Sequence, residues 1–155
     1  MKNMGLLLLV LLLFIGIDQA TKIWAMAQLK GGEPISYLYD TFRWVYAENS
    51  GAFLGMGDSL SERSRFWIFI VAVSLALMGM LLYLVKHPHL SKTTIIAMGL
   101  IASGGISNVL DRIFNHGAVI DFMNIGIGSL RTGIFNVADV VILVGVGMIF
   151  LFHKE

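Results

Sequence analysis

The chain has 155 residues, 57% of them apolar and only 14% charged, with a net charge of +1 and no cysteine. A soluble domain averages roughly 25% charged residues, so this composition, with a mean hydropathy of +0.80, places the chain in a membrane. It excludes a disulfide framework, a thiolate nucleophile and a Cys-ligated zinc site, and the small charge argues against a nucleic-acid partner.

Crossing the hydrocarbon core takes about 20 apolar residues at 1.5 Å each. The first run of that length covers residues 4–23. Near its end Asp18 and Lys22 lie four apart and share a helix face, which reads as an ion pair or rim anchor. Lys2, the apolar run to Ile17 and Ala25-Met26-Ala27 also have the layout of a cleaved leader, but Asp18, Gln19 and Lys22 interrupt it. Segment 24–65 comes next. Residues 37–47 are rich in Tyr, Trp, Phe, Thr and Val, with Phe42, Trp44 and Tyr46 on one side of a period-2 pattern. That pattern predicts a small β-rich cradle between helices 1 and 2. Gly51, Gly55 and Gly57 break it, and residues 58–65 suit the start of a surface helix.

Runs at 66–85 and 94–114 give the second and third helices. The turn between them carries Lys86, His87, His89 and Lys92 and no acid, which sets it in the cytoplasm. Both termini, with Lys2 and Lys154, then lie on the same side, and segments 24–65 and 115–134 face outward. Gly104, Asn108 and Arg112 recur every four residues on the third helix, with Asp111 beside them near the outer end. Asn108 is expensive to bury unpaired, so it bonds across helices or touches a ligand. Asp111 and Arg112 either tie off the helix or join a site. Asp121 lies in the loop 115–134, and the run 135–152 gives a fourth helix with Asn136 and Asp139 three apart in its first turn. Asn136 alone reads as an N-cap. The expected fold is a mainly α membrane protein, one integral domain over 1–155, built as a four-transmembrane-helix bundle with the extracytoplasmic cradle.

This layout gathers the membrane-proximal acids at one rim and leaves the other half of the spans almost purely apolar. A carboxylate at the centre of a membrane helix costs about 2.5–3.5 kcal/mol on insertion scales, so Asp121 and Asp139 are expected to have partners and a task. Two carboxylates at one rim suggest a shared proton, and with it peptide hydrolysis by a water held between them. The alternative class is a small membrane transporter or channel component that uses the rim acids as a proton or cation site. In that class acids more often line a path through the bundle. Weaker patterns are set aside. Gly55-Met56-Gly57-Asp58 spells a GxGD sequence in a polar loop, and Ser107 and His116 lie nine apart across a helix end with no third group to orient the histidine. His87 and His89 flank a proline in the inner turn, and Gly126-Ile127-Gly128 reads as a turn rather than a phosphate cradle.

Five motifs occur in order: Asp18-Gln19-Ala20-Thr21-Lys22, Glu48-Asn49-Ser50-Gly51-Ala52-Phe53, Gly104-Gly105-Ile106-Ser107-Asn108-Val109-Leu110-Asp111-Arg112, Val119-Ile120-Asp121-Phe122 and Phe135-Asn136-Val137-Ala138-Asp139. In this the chain resembles the bacterial lipoprotein signal peptidases, or signal peptidase II, from Asp18 to Asp139. The resemblance implies an aspartic endopeptidase of the bacterial inner membrane that cuts the signal peptide from a prolipoprotein just before a diacylglyceryl-modified cysteine. It implies Asp121 and Asp139 as the catalytic pair, with Asp18, Lys22, Asn49, Gly51, Gly104, Asn108, Arg112 and Asn136 as supporting or substrate-binding positions. It implies membrane lipids as surroundings, no cofactor and no metal. One departure is visible: where the family commonly has Gly beside the Asn, this chain has Ser107.

Overall fold

A computed structural model describes residues 2–52 and 56–152. Phe53, Gly55 and Lys154, and the side chain of Lys2, lie outside the described residues, and with them parts of the GxGD pattern and of the charge count at the termini.

The first helix, α1 (Lys2–Leu29), runs on past its expected end at residue 23. Ala25 and Leu29, one turn apart, are buried against Phe122, so tertiary packing extends the helix beyond its membrane-length run. Gly31, at φ 79°, then turns the chain with a conformation that glycine adopts without strain. Helix α2 (Glu62–Arg65), a π-helical segment (Phe66–Ala72) and α3 (Val73–Lys86) form one rod. It starts before the expected residue 66 because Ser61 caps it, accepting from the Ser64 N–H. Ser91 caps α4 (Lys92–Phe114) in the same way through Thr94. The last helix is α5 (Val137–Phe152).

Three helices, Asn3–Leu29, Glu62–Lys86 and Lys92–Phe114, are long and apolar enough to cross a membrane, and Val137–Phe152 is a shorter apolar helix. The third of them, α4, is central: half of its most apolar window is buried, against 17% and 11% for the other two. It packs through small residues. A Cβ on Gly104 would stand 2.5 Å from the Ala138 carbonyl oxygen, and one on Gly145 would stand 2.6 Å from that of Ala97. The α4 and α5 backbones therefore touch at two levels, as close membrane packing requires. Away from the rim the contacts are apolar, with Leu7, Leu84 and Ile95 in one cluster and Val10, Leu100 and Val141 in another.

The cradle differs from expectation. Its sheet has four antiparallel strands in the order β1 (Ile35–Tyr37), β2 (Phe42–Asn49), β3 (Val119–Ile127) and β4 (Leu130–Arg131). Half of it thus comes from the segment between α4 and α5, not from the one after helix 1. Residues 119–122 are all buried, so β3 shows no apolar–polar alternation at that end and gave no period-2 signal. Gly128, at φ 57°, turns β3 into β4, in keeping with the turn expected there. Trp44 and Tyr46 pack on the Ala25–Leu29–Phe122 cluster and seat the sheet on α1. Between β1 and β2, Leu38, Tyr39 and Asp40 all take positive φ (52°, 53° and 66°). The Asp40 carboxylate holds this turn, accepting from Ser36 Oγ at 2.7 Å and from Arg43 Nε at 2.6 Å. The Arg43 hydrogen bond, then that of Ser36, keeps the Asp40 carboxyl well below the usual carboxylate range.

Candidate active site

Asp121 projects from strand β3, not from an irregular loop, and pairs in register with Ala47 of β2. Its Oδ1 accepts from Asn136 Nδ2 at 2.7 Å, and its Oδ2 accepts from Asn49 Nδ2 at 3.0 Å. The Asn49 amide is oriented by its other end, where Oδ1 accepts the Gly51 N–H at 3.1 Å.

Asp139 is fixed by the helix it opens. Asn136 is the residue before α5, and its Oδ1 accepts the Asp139 N–H at 2.9 Å, while Asp139 Oδ2 accepts the Asn136 N–H at 3.1 Å. This is a capping box with Asn and Asp in the two roles. The cap uses the Asn136 oxygen and so turns its amide nitrogen toward Asp121. One residue thereby holds both carboxylates. The free Asp139 oxygen, Oδ1, accepts from Asn108 Nδ2 at 3.1 Å.

Asn108 in turn is oriented by a lysine. Its Oδ1 accepts from Lys22 Nζ at 2.9 Å and from Asn136 Nδ2 at 3.2 Å. An ammonium only donates, so the Asn108 oxygen must face Lys22 and its NH2 must face Asp139. Lys22 also pairs with Asp18 at 2.7 Å and Asp111 at 2.9 Å. All three charges are sealed from solvent, with Asp18, Lys22 and Asp111 exposed by 0%, 1% and 3%. Each aspartate positions backbone as well: Asp18 Oδ1 accepts the Ala138 N–H at 2.7 Å, and Asp111 Oδ2 accepts the Ile120 N–H at 3.0 Å. These are the residues adjoining Asp139 and Asp121.

The expected Asp18–Lys22 pair is present. The Asp111–Arg112 pair divides, one residue facing the buried cluster and the other the cavity. Arg112 Nη2 donates to the Gly51 carbonyl at 2.6 Å and Nη1 to the Asn108 carbonyl at 3.1 Å, with the guanidinium 5.4 Å from the Phe69 ring centre. Phe69 belongs to the π-helical segment, a distortion found often at functional sites. Gly51 serves through its backbone, and Gly104 serves through close helix packing rather than by facing a ligand. Ser107 explains its own departure: it donates to Asp18 Oδ2 at 2.7 Å and accepts from Gln19 Nε2 at 2.9 Å. Its hydroxyl is thus spent on the buried cluster and not on His116. Gln19 and Ser107 are members of the network that sequence reasoning passed over, although both stand inside the quoted motifs.

Asp121 and Asp139 share the wall of a cavity of about 980 Å3, together with Asn49, Asn108, Arg112, Phe69 and the segment 131–135. Burial first, and then the Asp139 charge, push the Asp121 carboxyl up to about 7, against the pull of the Asn49 and Asn136 hydrogen bonds. A carboxyl poised there can hold a proton at neutral pH or give it up. Among the described residues no group of three or more His, Asp or Glu side chains has metal-holding geometry. Of the buried polar side chains among the described residues, Ser103 alone continues along α4 away from the rim cluster, and it is tied to the Leu100 carbonyl.

The family model described as signal peptidase (SPase) II matches residues 10–153. A lipoprotein signal peptidase of Halalkalibacterium halodurans is 34% identical over 143 residues, which covers 92% of this chain and 88% of that protein. One of Xylella fastidiosa strain M12 is 34% identical over 154 residues, covering 96% and 89%. A bacterial membrane enzyme solved by the in meso method at 1.9 Å superposes with a TM-score of 0.82 over 97% of this chain and 95% of that one, at 22% identity, which shows a common fold. With motifs, fold and relatives in agreement, the chain belongs to the signal peptidase II family, a family of membrane aspartic peptidases.

Proposed function

We propose that the chain removes the signal peptide from lipid-modified prolipoproteins, cutting just before the diacylglyceryl-cysteine with a water activated between Asp121 and Asp139. The observation that carries this reading is the double role of Asn136, which caps Asp139 and binds Asp121, so that both carboxylates face one cavity. Like charges so placed favour a single shared proton. Asp121, with its carboxyl near 7, holds that proton at the start. Asp139, on the wall of the same cavity, acts as the base.

Asp139 takes a proton from the water as the water oxygen bonds to the scissile carbonyl carbon. Asp121 gives its proton to the carbonyl oxygen, and a tetrahedral diol results. The diol then returns a proton to Asp121, the C–N bond breaks, and the cysteine nitrogen leaves with the proton from Asp139. The net change is one water consumed and one peptide bond divided into acid and amine. Arg112 and Asn49 border the same cavity and are placed to hold substrate main chain.

The α5 helix, at about 1.5 Å per residue, reaches roughly 24 Å and serves as a fourth span. The turn holding Lys86 and Lys92 lies in the cytoplasm with both termini, and the dyad opens on the outer face of the bacterial cell membrane. A lipid-modified cysteine is anchored at that surface, so its scissile bond meets the dyad without leaving the interface. Reporter fusions at Pro88 and Gly126 should read inside and outside; a cytoplasmic signal at Gly126 would reverse the orientation.

The decisive experiment incubates the detergent-purified chain with a lipidated prolipoprotein peptide. The unaltered chain should cleave it, and Asp121→Asn and Asp139→Asn should each abolish cleavage while staying folded and inserted. Near-normal turnover by either variant, or efficient cleavage of the unlipidated precursor, refutes the reading.

A further inference from the structure

Two buried side-chain nitrogens lack a hydrogen-bond partner among the described residues, Arg112 Nε and Arg131 Nη2. Both arginines line the cavity that holds the dyad. A buried guanidinium N–H is a strong donor that is costly to leave unpaired, so two of them on one cavity wall call for acceptors that arrive with a ligand. Arg112 already belongs to the proposed reaction. Arg131 has no role in it.

Arg131 is held on three sides. Its Nη1 donates to the Asp40 carbonyl at 2.8 Å and lies 3.6 Å from the Asp40 carboxylate. Its Nε donates to Asn124 Oδ1. Its stem crosses Gly126, where a Cβ would stand 2.5 Å from Arg131 Cγ. The side chain is only 12% exposed. The Asp40 turn, with its three left-handed residues, is part of this mount, and such strain persists only where the surroundings impose it. The result is a guanidinium held through Nε and Nη1, with Nη2 unpaired and covered, so that an acceptor reaches it only as the cavity wall yields to a bound peptide.

Its position says what it would meet. Arg131 pairs in register with Gly126, five positions along β3 from Asp121. At about 3.3 Å per residue that is roughly 16 Å, the span of about five residues of an extended peptide. It lies on the sheet toward the far end of β3 from the dyad, which under the orientation proposed above is the side where a polypeptide would leave the membrane.

We propose that Arg131 is a specificity-determining residue that binds an acceptor oxygen of the substrate's mature segment, about three to five residues beyond the cleaved bond. This rests on the function proposed above. The same donor chemistry would suit an ester carbonyl of the lipid anchor, and the experiment separates the two sources. Two diacylglyceryl prolipoprotein peptides are compared, one continuing eight residues past the cysteine and one ending directly after it. Arg131→Lys keeps the charge and the stem but loses the fork; Arg131→Gln removes the charge and guards against a defect peculiar to lysine.

For the long peptide both variants should raise KM about tenfold, the worth of one charge-assisted hydrogen bond, with kcat unchanged. For the short peptide neither constant should move. Equal losses on both peptides would assign the donor to the lipid or to a purely structural role, and no loss on either would remove it from binding; each result overturns the proposal. If the unaltered chain cleaves neither peptide, the function reading itself has failed and this inference falls with it. Loss confined to the variants is therefore distinguishable from failure of the enzyme assignment.

Discussion

Lys22 and Lys30 stand on and just beyond the same helix, two turns apart, and each binds a carboxylate, yet they differ in nearly every consequence. Lys22 is 1% exposed and lies between Asp18 and Asp111, with Asn108 as a third acceptor. Lys30 meets Glu48 at 2.8 Å with the two side chains 56% and 48% exposed, and Tyr46 also donates to Glu48. Burying three charges carries a large desolvation penalty, which good geometry and further hydrogen bonds only offset. A hydrophobic cluster would hold the helices as well. What the buried cluster adds is direction: through Asn108, Ala138 and Ile120 every one of its charges ends on a group beside Asp121 or Asp139. The exposed pair ends on solvent. The same residue types serve position in one place and little more than solubility in the other, and burial decides which.

The sharpest way to break that contrast is Lys22→Met. It leaves Asp18 and Asp111 buried without a counter-charge, so the loss should be about 3–5 kcal/mol, read as a large fall in Tm in detergent. Any fraction that still folds should cleave poorly, because the Asn108 amide then loses the nearer of the two donors, Lys22 and Asn136, that turn its NH2 toward Asp139. A variant that melts normally would show that the buried cluster does not hold the helices in place.

A second test concerns the buried carboxyl that has a like charge for a neighbour. The Asp121 carboxyl is pushed from its ordinary 3.8 up to about 7, by burial first and then by Asp139. Between about pH 4 and pH 7 the folded chain keeps a proton that the unfolded chain has released. The favourable contribution is therefore complete in acid and is lost as pH rises through about 7. Asp121→Asn removes this titration. It should be more stable than the unaltered chain at pH 8 by about 4 kcal/mol at most, with the difference vanishing below about pH 4. A Tm difference that does not grow with pH would contradict the assignment. Turnover of the unaltered chain should also fall above pH 7 as the shared proton is lost.

Much of the site was legible because helix periodicity is strict. Asp18 and Lys22 at i,i+4, Asn108 and Arg112 on one stripe, and Asn136 three before Asp139 all meet as their spacing requires. The strands were less legible. Residues 119–122 are buried on both faces and lack alternation, so Asp121 read as a loop residue and half of the sheet went unseen. Helix ends moved where tertiary contacts or serine caps outweighed hydropathy, as at Leu29 and Ser61. Arg131 was invisible because its role depends on Asp40, ninety-one residues away, and on Gly126 across a hairpin. Ser107 looked like a departure from a family pattern; only the fold shows that Asp18 and Gln19 both use its hydroxyl.

The smallest expected effect completes the contrast. Glu48→Gln removes the acceptor charge from Lys30 while keeping a group that can still hydrogen-bond to Tyr46. In the folded chain the Glu48 carboxyl is held below its ordinary value, chiefly by the Lys30 hydrogen bond and then by Tyr46, so any contribution is present above the usual carboxylate range and is lost as pH falls through it. Exposed pairs of this kind contribute little, since water and salt screen them and two long side chains must be ordered. The Tm of Glu48→Gln should therefore match that of the unaltered chain at neutral pH, and raising the salt concentration should not separate them. Turnover should also be unchanged, because neither Glu48 nor Lys30 is among the residues that line the cavity. A clear drop in Tm at neutral pH would mean that the tie between the end of α1 and β2 holds the cradle in place, and that exposure alone does not divide the two lysines.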